Sequence, residues 1–189
     1  MSTREKLVTE AALLLDAGGD AAVTLRAVAQ AVGVSHNAPY KHFKDRSALL
    51  AAIAERDFGT LTTAFDQARS SEGQAIERLK QALAAFVLYG RDYPARYRLL
   101  FSNPEIGATG GTLEAAALMT FMAFARLVED AQTARALPAI STRELAGLIY
   151  ATAHGLIDLQ AGGRMREQKG LTAVEQSVGL LLTLLRQER

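Results

Sequence analysis

The chain contains no cysteine, which excludes disulfides, thiolate metal sites and cysteine-based redox sensing, and which fits a reducing compartment. Proline is scarce: Pro39, Pro94, Pro104 and Pro138 are the four, most of them at the edges of helical runs. Charge of one sign is lacking as well. The formal net charge of +1 over 189 residues excludes an affinity for polyanions built on global basicity, so any such affinity must come from a local patch. The most apolar stretches, 113–128 and 145–157, are interrupted by Glu114 and Arg126 or bounded by Glu144 and Asp158. Both are shorter than the roughly 20 residues a bilayer-spanning helix needs. No charged-then-apolar leader precedes the first helical pattern. A soluble, cytoplasmic protein without a membrane partner is expected.

Catalytic signatures are also missing. No Gly-x-Ser-x-Gly, Walker loop, dinucleotide-binding fingerprint or His-Glu-x-x-His occurs, and the segment 107–111 lacks the lysine and spacing of a phosphate loop. Glu-x-x-His pairs for a di-iron bundle are absent too. The expectation is a non-enzyme with no cofactor and no metal.

What is present is helical periodicity nearly throughout. No alternating run of strand length appears, so the fold class is all-α. Helices are expected over 3–17, 24–31, 36–43, 46–69, 74–92, 94–101, 112–136, 142–161 and 173–187. Three starts carry a capping-box pattern: Ser2 with Glu5, Ser141 with Glu144, and Thr172 with Glu175. The loop 102–111, with Pro104 and Gly107, is expected to be the most flexible segment.

The most informative stretch is 24–46, TLRAVAQAVGVSHNAPYKHFKDR. Leu25, Val28, Ala29 and Val32 recur at i, i+3, i+4, i+7, which buries one face of a helix. Thr24 is placed to cap its start, and Gly33 supplies the positive φ that ends it. Ser35 is a second cap candidate, with Pro39 near the first turn of the following helix, and Asp45 is a third. Val34, Ala38 and Phe43 read as inward anchors. His36, Asn37, Tyr40, Lys41 and His42 are left to face outward, and Lys44 and Arg46 follow at the start of the next helix. Two short helices joined by a glycine turn, the second polar, basic and aromatic, suit insertion into a DNA major groove. Asparagine and basic side chains bond base edges, and hydroxyls reach phosphate oxygens. Arg4, Lys6, Lys41, Lys44 and Arg46 form the local basic patch. An ordinary helical hairpin with a solvated polar face has the same periodicity.

The residues themselves tip the balance. TLRAVAQAVGVSHNAPYKHFKDRSALL resembles the DNA-binding domain of the TetR/AcrR family of bacterial regulators. The matches are Thr24, Val28, Ala29, Gly33, Val34, Ser35, Tyr40, Phe43, Leu49 and Leu50. His36 and Asn37 depart from the family's frequent Lys and Gly, and Arg46 stands where Lys is commoner. The resemblance implies a three-helix DNA-binding domain at 1–54, with the helix-turn-helix at about 24–43, and a C-terminal effector-binding and dimerisation domain at 55–189. It implies DNA contacts from Thr24, Ser35, His36, Asn37, Tyr40, Lys41, His42, Lys44 and Arg46 to a palindromic double-stranded operator. The implied function is that of a homodimeric repressor released by a small hydrophobic or aromatic effector. A helical ligand-binding or interaction protein without DNA-binding activity is the alternative.

Further expectations concern the C-terminal part. Phe86, Tyr89, Tyr97, Phe101, Met119 and Met122 concentrate aromatic and thioether groups suited to an effector cavity, although such stripes also form plain core. His154 and Asp158, at i, i+4, could add polar contacts. Gly147, Ala151 and Gly155 form a smooth stripe on one helix, and Val178, Leu181, Leu182 and Leu185 an apolar stripe on the last. Within one chain the two stripes could pack together, whereas the family resemblance implies a four-helix dimer interface. The segment 93–101 and the Tyr150…His154-Gly155 pattern are similar to a subgroup of the family that bears a Trp-His-Gly signature.

Overall fold

The structure is a computed structural model that describes residues 1–107 and 111–186, and among these residues there are helices and no strands. The α-helices are α1 (Thr3–Gly18), α2 (Leu25–Val32), α3 (Arg46–Ser70), α4 (Ala75–Asp92), α5 (Pro94–Ser102), α6 (Pro104–Gly107), α7 (Gly111–Thr133), α8 (Thr142–Ala161) and α9 (Val174–Leu184). The all-α expectation therefore holds. Two compact units share the chain: Met1–Thr60 with Tyr93–Leu118, and Leu61–Asp92 with Met119–Arg189. The units interleave along the sequence, so the first includes a segment, Tyr93–Leu118, that lies far beyond residue 54.

In the first unit, α1 opens on the full capping box, Ser2 Oγ accepting from Glu5 N–H at 3.2 Å and the Glu5 carboxylate from Ser2 N–H at 2.6 Å. Its buried face, Leu7, Ala11 and Leu15, shares one core with Val28 of α2, with Phe43, with Leu49, Leu50 and Ile53 of α3, and with Leu99 of α5. In the second unit, α8 packs on α4 and α9. Phe65, Leu79, Phe86, Phe124, Ile149, Ala153 and Leu182 are its buried centre.

Four expectations need correction. The helix expected over 36–43 is instead a turn at 36–38 followed by a 3-10 helix, Pro39–Lys41. An α-helix capped by Ser35 would need an N–H at position 39 for the Ser35 carbonyl. Pro39 has none, and Ala38 N–H donates there instead at 2.9 Å. Thr172 is not the cap of the last helix: α9 starts at Val174 behind Ala173, and the Thr172 hydroxyl donates to Gln176 Oε1. α7 stops at Thr133, three residues early, where Arg135 takes a left-handed φ of 57°. Finally, α7, at 23 residues, is long and apolar enough by length and composition to cross a membrane, contrary to the reading of 113–128; the core helices of soluble proteins pass the same test. Within the loop expected at 102–111, Pro104–Gly107 is a helical turn and residues 108–110 lie outside the described residues. Residue 187, the expected end of the last helix, lies outside them too.

Candidate nucleic-acid interface

The start and end of α2 follow from two side chains. Thr24 Oγ1 accepts from Ala27 N–H at 3.1 Å, and Gly33, at φ 76°, turns the chain out in the left-handed conformation that glycine adopts without strain. Burying Leu25, Val28 and Ala29 leaves Arg26 and Gln30, four residues apart, on the exposed side of the same helix. Beyond the turn, Pro39 and Phe43 are buried and Val34 and Ala38 half-buried, so proline joins the expected anchors. The Arg4 guanidinium lies 5.4 Å from the centre of the Phe43 ring, a cation–π contact that ties α1 to this segment.

These anchors leave His36, Asn37, Tyr40, Lys41, His42 and Lys44 exposed on one short stretch, with Ser35 beside them; Tyr40 is 59% exposed, unusual for an aromatic residue with nothing to cover it. Arg26, Gln30, His36 and Tyr40 surround a shallow depression of about 630 Å³. Arg26 and Gln30 were not among the expected contacts. The signal was available in the sequence, since both fall on the face opposite the buried stripe of α2. The depression thus gathers a guanidinium, a carboxamide, an imidazole and a phenol, all groups that bond base edges or phosphates.

Arg46 is placed differently from the expectation. Its Nε donates to the Val23 carbonyl at 2.7 Å, Nη2 donates to the Asp20 carbonyl at 2.5 Å and pairs with the Asp20 carboxylate at 3.0 Å, and Nη1 pairs with Glu105. Partial burial pulls its pKa down, but the hydrogen bonds to Asp20 and Glu105 outweigh this and hold it above the usual arginine value. The charge expected to meet phosphate is therefore neutralised inside the unit. Asp45 does cap α3, accepting from Ala48 N–H at 2.8 Å.

The residues expected to line an effector cavity divide between the units. In the first, Tyr97 and Phe101 pack with each other at 4.9 Å between ring centres, and Phe101 stands edge-on to Phe58 at 5.6 Å. In the second, Phe86 stacks on Tyr150 at 5.0 Å, and His154 stands edge-on to both, at 4.9 and 4.5 Å. Phe124 and Phe121 close on Tyr150 at 5.5 and 5.7 Å. Burial pulls His154 down to about 4, partly offset by the Asp158 carboxylate, and pushes the Tyr150 phenol up. Tyr89 is buried, whereas Met119 and Met122 are 61% and 49% exposed. Their helical phase on α7 explains this, because Phe124, Leu127 and Val128 take the inner face. No group of three or more metal-ligating side chains clusters among the described residues.

The small-residue stripe on α8 faces outward: a Cβ added at Gly147 or Gly155 would meet nothing within 4 Å, and Ala151 is exposed. On α9 the expected set splits. Val178 and Leu182 are buried within the chain and Leu181 and Leu185 half-buried, while Leu180 and Leu184 are the large exposed apolar residues, with Leu148 of α8.

Comparison with known proteins agrees with this arrangement. The model of bacterial regulatory proteins of the tetR family matches residues 7–53, and that of tetracyclin repressor-like C-terminal domains matches residues 79–185. The nucleoid occlusion factor SlmA of Haemophilus ducreyi (strain 35000HP / ATCC 700724) is 31% identical over 90 residues, 44% of this chain and 45% of that protein. The chain thus spans about half the length of the curated relatives it matches. Among solved structures, a protein of unknown function from Rhodococcus sp. RHA1 is 30% identical with a TM-score of 0.84, covering 99% of this chain and 97% of that one. The TetR-family transcriptional regulator PfmR from Thermus thermophilus, at 18% identity and a TM-score of 0.66 over 97% of this chain and 100% of its own, shares the fold. A capped helix, a glycine turn and an exposed polar-aromatic segment at the N-terminus, followed by a helical domain matched over most of its length, place this chain in the tetR family of bacterial regulatory proteins.

Proposed function

We propose that the chain is a cytoplasmic, non-enzymatic transcriptional regulator: a homodimer that binds a palindromic operator and represses until a small hydrophobic or aromatic molecule releases it. The observation that carries this reading is the exposed set Tyr40, Lys41 and His42 beside the depression formed by Arg26, Gln30 and His36. Solvent exposure of an unpartnered tyrosine next to cations and amides is what a major-groove or phosphate contact requires before DNA arrives. Residues 1–54 supply the DNA-binding function and 55–189 effector binding and dimerisation. Two copies related by a twofold axis read half-sites about one DNA turn, roughly 34 Å, apart. Effector binding to the DNA-incompetent conformation shifts the population away from DNA. The aromatic nest of Phe86, Tyr150 and His154 is the favoured effector region. Its Tyr150…His154-Gly155 pattern supports kinship with the Trp-His-Gly subgroup.

The test is a pull-down of genomic fragments with the intact protein and with a Tyr40→Ala, Lys41→Ala variant. Enrichment of a palindromic site, lost in the variant and falling steeply with salt, is the expected result. A folded dimer that enriches nothing at low salt belongs instead to a helical binding protein without DNA recognition.

A further inference from the structure

The depression formed by Arg26, Gln30, His36 and Tyr40 lies within the first unit, and Ala29 and Val34 complete its lining, which holds no carboxylate. None of the four polar side chains makes a hydrogen bond, an ion pair or a ring contact among the described residues. Arginine is charged and a carboxamide neutral at every pH of interest, whereas histidine is the side chain whose charge changes between about pH 5 and 8. Protonation of His36 therefore adds a second positive charge beside that of Arg26, in a chain whose formal net charge is only +1.

Two like charges that share a space without an acid disfavour each other, and an anion placed between them reverses the sign. A DNA phosphate is such an anion, since a duplex brings its phosphates against exposed cations. Lys41 and Lys44, on the same exposed segment as His36, add to the positive field, and only Lys44 has an acid beside it, Asp45 at 3.9 Å. The other two histidines are placed differently. His154 is held down to about 4 by burial, so it stays neutral across this range, and His42 lies outside the depression, its ring 6.4 Å from that of Phe43.

We infer that His36 is a proton-dependent phosphate contact: DNA binding draws a proton from solvent onto its imidazole, which then shares a phosphate with Arg26. The protein accordingly holds DNA more tightly in mildly acidic than in mildly alkaline solution. Linkage fixes the sign, because the DNA-bound state carries more protons than the free state and affinity rises as pH falls. This inference rests on the DNA-binding reading above and adds pH as a regulator of the same surface.

The experiment measures, by fluorescence anisotropy, the affinity of the full-length protein for a labelled random-sequence DNA duplex at about pH 6 and about pH 8, over a range of salt; phosphate contact is independent of sequence, so no operator is needed. Binding tighter by about tenfold or more at the lower pH is expected, with a log–log salt slope steeper by about 0.9 for each subunit. His36→Asn is expected to lose most of both differences. His36→Lys, which keeps its charge, is expected to bind at about pH 8 as the unaltered protein does at about pH 6, with circular dichroism unchanged in both variants. His42→Asn is expected to retain the pH dependence. Equal affinity at the two pH values, or a dependence that persists in full in His36→Asn or vanishes in His42→Asn, would overturn the inference and leave DNA binding standing. No binding at either pH would overturn both the inference and the DNA-binding reading.

Discussion

Arg96 of α5 grips Asp16 of α1 across 80 residues of sequence, its Nε 3.0 Å from one carboxylate oxygen and its Nη2 2.5 Å from the other. The same guanidinium reaches Asp57 of α3 at 3.7 Å, where the carboxylate side chain is only 3% exposed and also accepts from Arg56. Three helices of the first unit are thus pinned at one buried charge cluster, and the Arg96 guanidinium is covered by the Tyr93 ring at 4.5 Å.

Asp57→Ala is expected to lower stability by roughly 1–2 kcal/mol, because it removes a buried carboxylate that accepts two bonds from Arg56, while Arg96 keeps its bidentate pair with Asp16. Urea denaturation followed by circular dichroism measures this, and a loss within error of zero would show that the cluster is solvated in solution.

His154 makes stability depend on pH. Its folded pKa of about 4, depressed by burial, lies below the unfolded value near 6.5, so the unfolded state binds the extra proton between them. The stabilisation is fully present above about pH 6.5 and is lost as pH falls toward 4, by on the order of 2 kcal/mol. His154→Phe is expected to flatten the dependence of the urea midpoint on pH across that window; an unchanged slope in the variant would assign it to other groups.

Two neighbouring cations have opposite roles. Lys44, whose side chain is 83% exposed, is expected to lose operator affinity as Lys44→Ala without a change in melting temperature, reducing the log–log salt slope by about 0.9. Arg46→Ala breaks bonds to Val23, Asp20 and Glu105 and is expected to cost on the order of 2 kcal/mol of stability. Parallel fluorescence-anisotropy titrations and thermal melts separate the two. Equal stability loss in both variants would refute the division.

Leu180 and Leu184 are expected to sit in the proposed dimer interface. Leu184→Glu, at a position 74% exposed in the single chain, is expected to leave a folded monomer on size-exclusion chromatography with light scattering. Val178→Glu buries a charge in the subunit core and is expected to unfold it. A dimer that survives Leu184→Glu would move the interface elsewhere.

Much of this protein was legible in local chemistry. The capping hydroxyls of Ser2 and Thr24, the left-handed Gly33 and the apolar spacing of α2 act over one helical turn, so sequence alone determined those elements and the all-α class. It also determined which short segment presents Tyr40 and Lys41, since Val34, Ala38 and Phe43 are its inward apolar members; that Pro39 joins them only the structure showed. Tertiary structure decided what distance in sequence conceals. Whether Arg46 meets solvent depends on Asp20 and Glu105, the second of them 59 residues away, arriving beside it. The phase of α7 turned Met119 and Met122 outward, and packing of α9 on α8 and α4 buried Val178 and Leu182 while leaving Leu180 and Leu184 outside. A periodic pattern states that a helix has an apolar face; only the neighbours that arrive to cover it decide which part of that face is core and which remains for a partner.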